Sequence, residues 1–312
     1  MIYQNREDLI RLTSLWKGER FEDGRPRVGD DLLHRIRNLT IEDVWVPLWQ
    51  SGYKHQFQGD LRRTNTETRL LGRAVTMVMV PSRPDVHMVL LTYGHQELNK
   101  FGYFNEWVIN ALQEKDVLVV DMCDKVFQGT FLGGNMGAVI QSRTKTGGAV
   151  VWGGIHDLEQ LAMMEGIQIY FRGCDPTPIQ DMMASSVNAP CSVGSAICMP
   201  GDVVLGTVSG IIFIPAHMVE TVAVAGEKQQ IKDMFGFERL KDGKYLSSEV
   251  DVPVWPWEIM EDFLQWFKTS SQAQPFQHLE WKNEIEKSRA GERCEWTGLS
   301  VTNGYSFLEK RD

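Results

Sequence analysis

The chain has 312 residues, 43% of them apolar, with a formal net charge of −9 and a pI near 5.4. That is enough apolar material for one large domain or two small ones with a full core. The acidic balance argues against binding nucleic acid or an anionic membrane, because phosphate affinity comes from clustered Lys and Arg; no window approaches about 18 consecutive apolar residues, so no transmembrane helix is expected.

The opening "MIYQNREDLIRL" is charged and lacks the apolar core of a secretory leader. The five cysteines, Cys123, Cys174, Cys191, Cys198 and Cys294, are far apart and form no CxxC pair. Neither a zinc site nor a disulfide framework is signalled, so reduced thiols and a cytoplasmic location are expected.

In chain order, "REDLIRLTSLW" places Leu9, Ile10, Leu12, Leu15 and Trp16 along a helical face. "GDDLLHRIRNL" repeats the pattern, and Thr40 is suited to N-cap "IEDVWVPLW". The polar stretch 51–69 predicts a loop, and "LLGRAVTMVMVPS" a strand ended by Pro81. "FNEWVINALQ" has helical spacing, and "DVLVVD" is a short apolar strand. A helix is predicted behind the glycine turn of "GNMGAVIQSRTKTG", a strand in "GAVVW", a helix in "DLEQLAMMEG" closed by Gly166, and a strand in "IQIYFRG". A long loop with Pro176, Pro178 and Pro190 follows, then glycine-punctuated strands over 191–215 and a helix over 216–240. This order suggests a parallel sheet beside a smaller antiparallel one. The tail differs. "VPVWPWEIMEDFLQWF" carries three tryptophans, its apolar spacing from Trp257 to Phe267 is helical, and such tryptophan density predicts docking on the domain or on a neighbouring subunit.

Three stretches could carry chemistry, and each has a plain structural reading beside the functional one. "LGGNMGA" (132–138) opens a helix. It is either an ordinary glycine turn or a cradle of backbone N–H groups for a carboxylate or phosphate. "WGGIHD" sets His156 beside Asp157 after two glycines. Either Asp157 caps the next helix and His156 is an incidental loop residue, or the glycines turn sharply to aim both side chains at a site. "PGDVVLGTVSGIIFIP" (200–215) reads as a hairpin. Asp121 and Asp124, flanking Cys123 after a strand, could line a cleft or be surface carboxylates, and His95 and Glu97 read as solvated loop residues. No G-x-S-x-G, P-loop or HExxH pattern is present.

Together, in this order, "VLVVD" at 117–121, "GGNMGA" at 133–138, "GGAVVWGGIHD" at 147–157 and "PGDVVLGTVSGIIFIP" at 200–215 resemble the RraA-like family. That family, named for the regulator of ribonuclease activity A, includes metal-dependent aldolases of 4-hydroxy-4-methyl-2-oxoglutarate. "LTIEDV" and "LLGRAVTM" resemble its early helix and first strand. The resemblance implies an α/β fold with a swivelling β/β/α domain over 30–245, an N-terminal helical extension over 1–30 and an added C-terminal segment over 246–312. It implies Asp157 as the ligand of a divalent metal, Mg²⁺ first and Mn²⁺ second. Gly133, Gly134, Asn135, Met136 and Gly137 would supply amides to a substrate carboxylate, and Arg172 is a further carboxylate binder.

The chain departs from the family pattern at three places. His156 stands where the family has arginine, Asn135 where it has an acidic residue, and Thr207, Val208, Ser209 and Gly210 where it has an acidic turn. Arginine carries a fixed charge for a developing oxyanion; an imidazole serves instead as an acid, a base or a softer ligand. His156 and Asn135 are thus the candidate catalytic residues. The function implied is a metal-dependent lyase, an aldolase or decarboxylase, on a small oxo acid or sugar-derived acid. A protein-binding regulator, and an isomerase or hydrolase using His156 as acid or base, are the alternatives. The expected partners are a small carboxylate substrate and further copies of the chain, in a trimer or hexamer.

Overall fold

The computed structural model describes residues 2–3 and 5–292, so Cys294 and the last part of the predicted tail segment lie outside the described residues. Strand β1 (Ile2–Tyr3) precedes α1 (Arg6–Leu12), α2 (Asp30–Ile36) and α3 (Ile41–Gln50). Thr40 caps α3 in a full capping box: its side chain accepts from the Asp43 amide, and Asp43 accepts from the Thr40 amide. Only Leu9 of the first predicted face is buried; Leu12 and Leu15 are exposed, because α1 stops at Leu12 and presents a single turn to the core.

The polar stretch expected to be a loop holds two short strands, β2 (Phe57–Gln58) and β3 (Arg62–Arg63), which edge the sheet. Then come β4 (Leu70–Pro81), α4 (Pro84–Gln96), α5 (Phe104–Ile109), β5 (Asp116–Asp121), α6 (Gly134–Thr144), β6 (Gly148–Ile155), α7 (Leu158–Ala162) and β7 (Gln168–Cys174). His95 therefore lies in the last turn of α4 and not in a loop, while Glu97 is the C-cap that follows, in an exposed turn. The proline-rich stretch after β7 also contains a strand, β8 (Met182–Val187), antiparallel to the far half of β4 and parallel to β1. "MMASSV" lacks the β-branched enrichment that announces strands, and pairing with β4 holds it extended all the same.

Two hairpins follow, β9 (Cys191–Val193) with β10 (Ala196–Cys198) and β11 (Val203–Thr207) with β12 (Gly210–Ile214). The chain then enters α8 (Val219–Lys241), α9 (Ser247–Val250), α10 (Trp257–Thr269) and α11 (Lys282–Ala290).

Strands β4, β5, β6 and β7 are parallel neighbours in that order, while β11, β12 and β2 extend the β4 side antiparallel and β3 closes the β7 edge. Both sheet faces are covered, which is why the parallel strands read as continuous apolar runs. Leu118, Val120, Ala149 and Val151 face a core under α5 and α6. Val117, Val119, Val150 and Tyr170 face the opposite way, toward the β9–β10 hairpin. A third core joins α2, α3 and the first half of α8 to β11 and β12.

The second half of α8 carries the tail. Ile231 and Phe235 pack with Trp255, Phe263, Trp266 and Trp281, with edge-on contacts such as Phe263 to Trp281 at 4.7 Å between ring centres. Trp255, Trp266 and Trp281 are thus buried, and Trp257 half-buried, against a helix of their own chain. The N-terminal stretch also reaches the sheet: Arg25 is buried and donates to the buried Asp116 at 3.1 Å. Among the described residues no helix is long and apolar enough to cross a membrane.

Candidate functional site

The pair Gly153–Gly154 does not end its strand: β6 runs on through both glycines to Ile155. They are required by close approach. A Cβ on Gly153 would sit 2.9 Å from the Lys125 carbonyl oxygen, and one on Gly154 2.9 Å from that of Val126. The chain turns instead at Asp157, which takes the left-handed conformation at φ 54°, ψ 40°. Aspartate tolerates that region better than most residues.

The turn aims the two side chains away from α7. Asp157 makes no side-chain cap on α7. Its Oδ2 accepts instead from the Gly134 amide of α6 at 3.0 Å, so the carboxylate sits on the positive end of the neighbouring helix. The His156 amide donates to the Leu132 carbonyl at 3.0 Å, tying the β6 end to the glycine turn. His156 Nε2 lies 3.7 Å from Asp157 Oδ2, and both lean over Gly133. A Cβ there would meet Nε2 at 2.1 Å and Oδ2 at 2.7 Å, so the glycine makes room for the pair.

Of the five amides in the glycine turn, Gly134 serves Asp157 and Gly137 donates to the Gly133 carbonyl. Asn135 and Met136 stand in the first turn of α6, where amides have no intrahelical acceptor. The Asn135 side chain is exposed. Met136 is held from behind, where Asn105 Nδ2 donates to its sulfur at 3.2 Å and to the Phe131 carbonyl at 2.6 Å.

Arg172 is placed in a different cluster. Its Nε donates to Asp124 at 2.8 Å and its Nη1 to the Asp60 carbonyl at 2.8 Å, and its guanidinium stacks 4.6 Å from the Trp152 ring centre. Asp121 ends β5 and accepts from the Cys123 amide at 2.8 Å; burial raises its carboxyl above the usual carboxylate range. His95 faces the Gly102 carbonyl at 3.1 Å. The Thr207–Gly210 turn takes the Tyr170 hydroxyl, which donates to the Thr207 carbonyl at 2.7 Å.

Thr130 belongs to the site and was not foreseen. It is fully buried, and its hydroxyl lies 2.6 Å from His156 Nδ1 and 2.7 Å from the Thr177 carbonyl oxygen. Asp175 orders that carbonyl's loop: hydrogen bonds from the Thr177 hydroxyl and amide hold Asp175 below the usual carboxylate range. A lone threonine in "FQGTFLGG" carries no spacing signal, since its partners are 26 and 47 residues away in sequence.

Among the described residues no three His, Cys, Asp or Glu side chains converge as a metal cage. A cation here would have at most Asp157 and His156 as charged or imidazole donors. That donor set fits a hard divalent ion that keeps several waters and shares its shell with substrate oxygens.

Comparison with known proteins agrees with this fold. Residues 39–213 match the family model described as "RraA-like: Aldolase/RraA". A curated protein of Halalkalibacterium halodurans named "Putative 4-hydroxy-4-methyl-2-oxoglutarate aldolase" is 27% identical over 132 residues, 40% of this chain and 60% of the relative, so the match spans well under the relative's full length. Streptomyces coelicolor RraAS2, described as an unusual member of the RNase ES inhibitor RraA protein family, superposes with a TM-score of 0.57 at 20% identity, over 68% of this chain and all of that one. An uncharacterized Pseudomonas syringae protein gives 0.57 at 15% identity, over 72% and 98% of the two chains. These structures share the fold: the mixed α/β sheet is theirs, with the C-terminal helices added.

Proposed function

The chain belongs to the RraA-like family, and from that premise we propose that it is a divalent-metal-dependent carbon–carbon lyase, an aldolase or decarboxylase, acting on a small oxo acid or sugar-derived acid. The observation that carries this is the convergence of Asp157 Oδ2 and His156 Nε2 over Gly133 at the N-terminal end of α6. A protein that only docks on a partner needs no carboxylate held open beside an imidazole.

Asp157 is the metal anchor, with Mg²⁺ or Mn²⁺ as the ion. Its side chain is 43% exposed, and its Oδ2 is positioned by an amide without being neutralised by a cation. A bound divalent ion would draw electrons from a 2-oxo acid carbonyl and so ease scission of the C–C bond beyond its α-carbon, whose electron pair passes into an enolate. The chain's own residues do the remainder. The Asn135 and Met136 amides, at the positive end of α6, receive the substrate carboxylate. His156 Nε2 takes up or returns the proton that the scission moves. Asn135, exposed in the first turn of α6, is the second candidate for contact with substrate. Arg172, held by Asp124 and the Asp60 carbonyl in a separate cluster, has no part in this reading.

The test is calorimetric titration with Mn²⁺. Asp157→Asn keeps an oxygen for the Gly134 amide and tolerates the left-handed backbone, yet lowers affinity roughly 10-fold or more, the scale seen when a metal site's supporting groups are altered. Equal affinity in both proteins removes the metal assignment. The assembly in this reading is a trimer or hexamer, supported by the apolar side chains of Met88, Val89 and Phe101 that the single chain leaves exposed; light scattering that reports a monomer at micromolar concentration counts against it.

A further inference from the structure

We propose that Thr130 is a positioning residue that locks His156 in a single tautomer, with the proton on Nδ1, and that the substrate group His156 meets is therefore a hydrogen-bond donor. The argument is a proton count. A threonine hydroxyl has one proton and can accept as well as donate, whereas a carbonyl oxygen can only accept. Thr130 Oγ1 is 2.7 Å from the Thr177 carbonyl oxygen, so its proton points there. The same Oγ1 is 2.6 Å from His156 Nδ1. With the hydroxyl proton spent, only the imidazole can supply the proton of that contact, and Nδ1 carries it. A neutral imidazole has one N–H, so Nε2 is left with a lone pair. Nε2 is the atom 3.7 Å from Asp157 Oδ2, above Gly133.

Burial makes the lock effective. Thr130 is fully buried, so water does not compete for its hydroxyl. The Thr177 carbonyl is fixed in turn by the Asp175 turn. The same threonine is what an Nε2–H ring would frustrate: Nδ1 would then offer a lone pair to an oxygen that has no second proton.

The consequence is an inversion of polarity. A guanidinium at this position only donates, and so suits a carbonyl oxygen. His156, locked as described, only accepts at Nε2. It suits a hydroxyl, so the chain is fitted to a hydroxy acid whose O–H faces Nε2. This second half rests on the lyase reading of the site; the tautomer itself does not.

The test uses the full chain, metal-free and labelled with ¹⁵N-histidine, at a pH where the imidazoles are neutral. Long-range ¹H–¹⁵N correlation reads the tautomer, and His156→Gln identifies the His156 signals by their loss. The expected result is a single Nδ1–H form. An Nε2–H form, which neutral histidine favours in water, overturns the proposal outright and needs no variant. Thr130→Ser keeps the Nδ1–H form, while Thr130→Val, which keeps the shape and removes the acceptor, shifts His156 toward Nε2–H. An unchanged Nδ1–H form in a folded Thr130→Val removes Thr130 from the role. Should that variant not fold, the reading on the unaltered chain still decides. The polarity claim is tested with Mn²⁺-loaded protein, malate and oxaloacetate. His156→Ala costs malate affinity about 5-fold more than oxaloacetate affinity, the worth of one hydrogen bond; equal losses overturn the claim. Loss of metal binding with the Nδ1–H form intact would sink the lyase reading alone.

Discussion

Replacing Gly133 with alanine isolates the site from the fold. The residue has φ −137° and ψ −160°, extended backbone that alanine adopts without strain. The added Cβ, however, would stand 2.1 Å from His156 Nε2 and 2.7 Å from Asp157 Oδ2. Ordinary contact is about 3.5 Å, so His156 must withdraw by roughly 1.4 Å and Asp157 by somewhat less. A misplacement of about 1 Å at a reacting group is worth about 10²-fold in rate. Against this, alanine at an N-cap costs about 1 kcal/mol, a minor fraction of the stability of an ordinary domain. Gly133→Ala is therefore expected to stay folded by circular dichroism, to lose Mn²⁺ affinity by calorimetry, and to lose turnover of oxaloacetate, the simplest 2-oxo acid probe, by about 10²-fold. Gly134→Ala is the control. Its Cβ would strike only Gln160 Oε1 within 3 Å, the free end of a flexible side chain, and would rest 3.6 Å from Asp157 Oδ2. That variant should keep its metal affinity. If the two variants behave alike, the room over Gly133 is not where the chemistry occurs.

Three further outcomes follow from buried charge and packing. Asp202 is buried, accepts from the Met199 amide at 2.8 Å, and burial pushes its carboxyl up to about 7. The folded state thus keeps a proton the unfolded chain releases near its ordinary value. Its stability falls as pH rises from about 4 to about 7, by on the order of 4 kcal/mol, and in urea unfolding Asp202→Asn should match the parent at pH 4 and exceed it at pH 8; identical pH slopes would refute the burial argument. Arg25→Met leaves Asp116 buried without its cation and should cost about 3–5 kcal/mol, with part recovered in the double variant Arg25→Met/Asp116→Leu. Trp281→Ala opens a cavity against Phe263 and Phe267 and should cost about 3–5 kcal/mol in thermal unfolding; a loss below 1 kcal/mol would mean that the tail is not held by this cluster.

The parallel strands were legible because burial on both faces leaves an unbroken apolar run, as in "DVLVVD" and "GAVVW". Thr40 announced its helix because a cap is a local device, satisfied within three residues. What stayed hidden was extended structure imposed from outside. Residues 57–58, 62–63 and 182–187 are strands because β12, β7 and β4 offer them open edges, and a polar or methionine-rich stretch carries no trace of the edge it will meet. The tryptophans of the tail signalled burial but not its address, which Ile231 and Phe235 on α8 supply.

At "GGIHD" the sequence offered a sharp glycine turn or a capped helix, and neither is what was built. The glycines lie within β6 because the 122–130 segment presses on them, and the turn belongs to Asp157. The cap is real but serves α6, 23 residues back in the chain, and not the helix that follows. Adjacent residues suggest local pairings, since local hydrogen bonds need only a few torsions. Here the useful partners are remote. Asp157 is held by Gly134, and His156 faces Thr130 across a contact that no motif encodes. A change from arginine to histidine at such a position looks like a loss of charge when read along the chain. On the proposed Nδ1–H tautomer, with Thr130 behind the ring, it would be a change of sign in hydrogen bonding, from a group that donates to one that accepts.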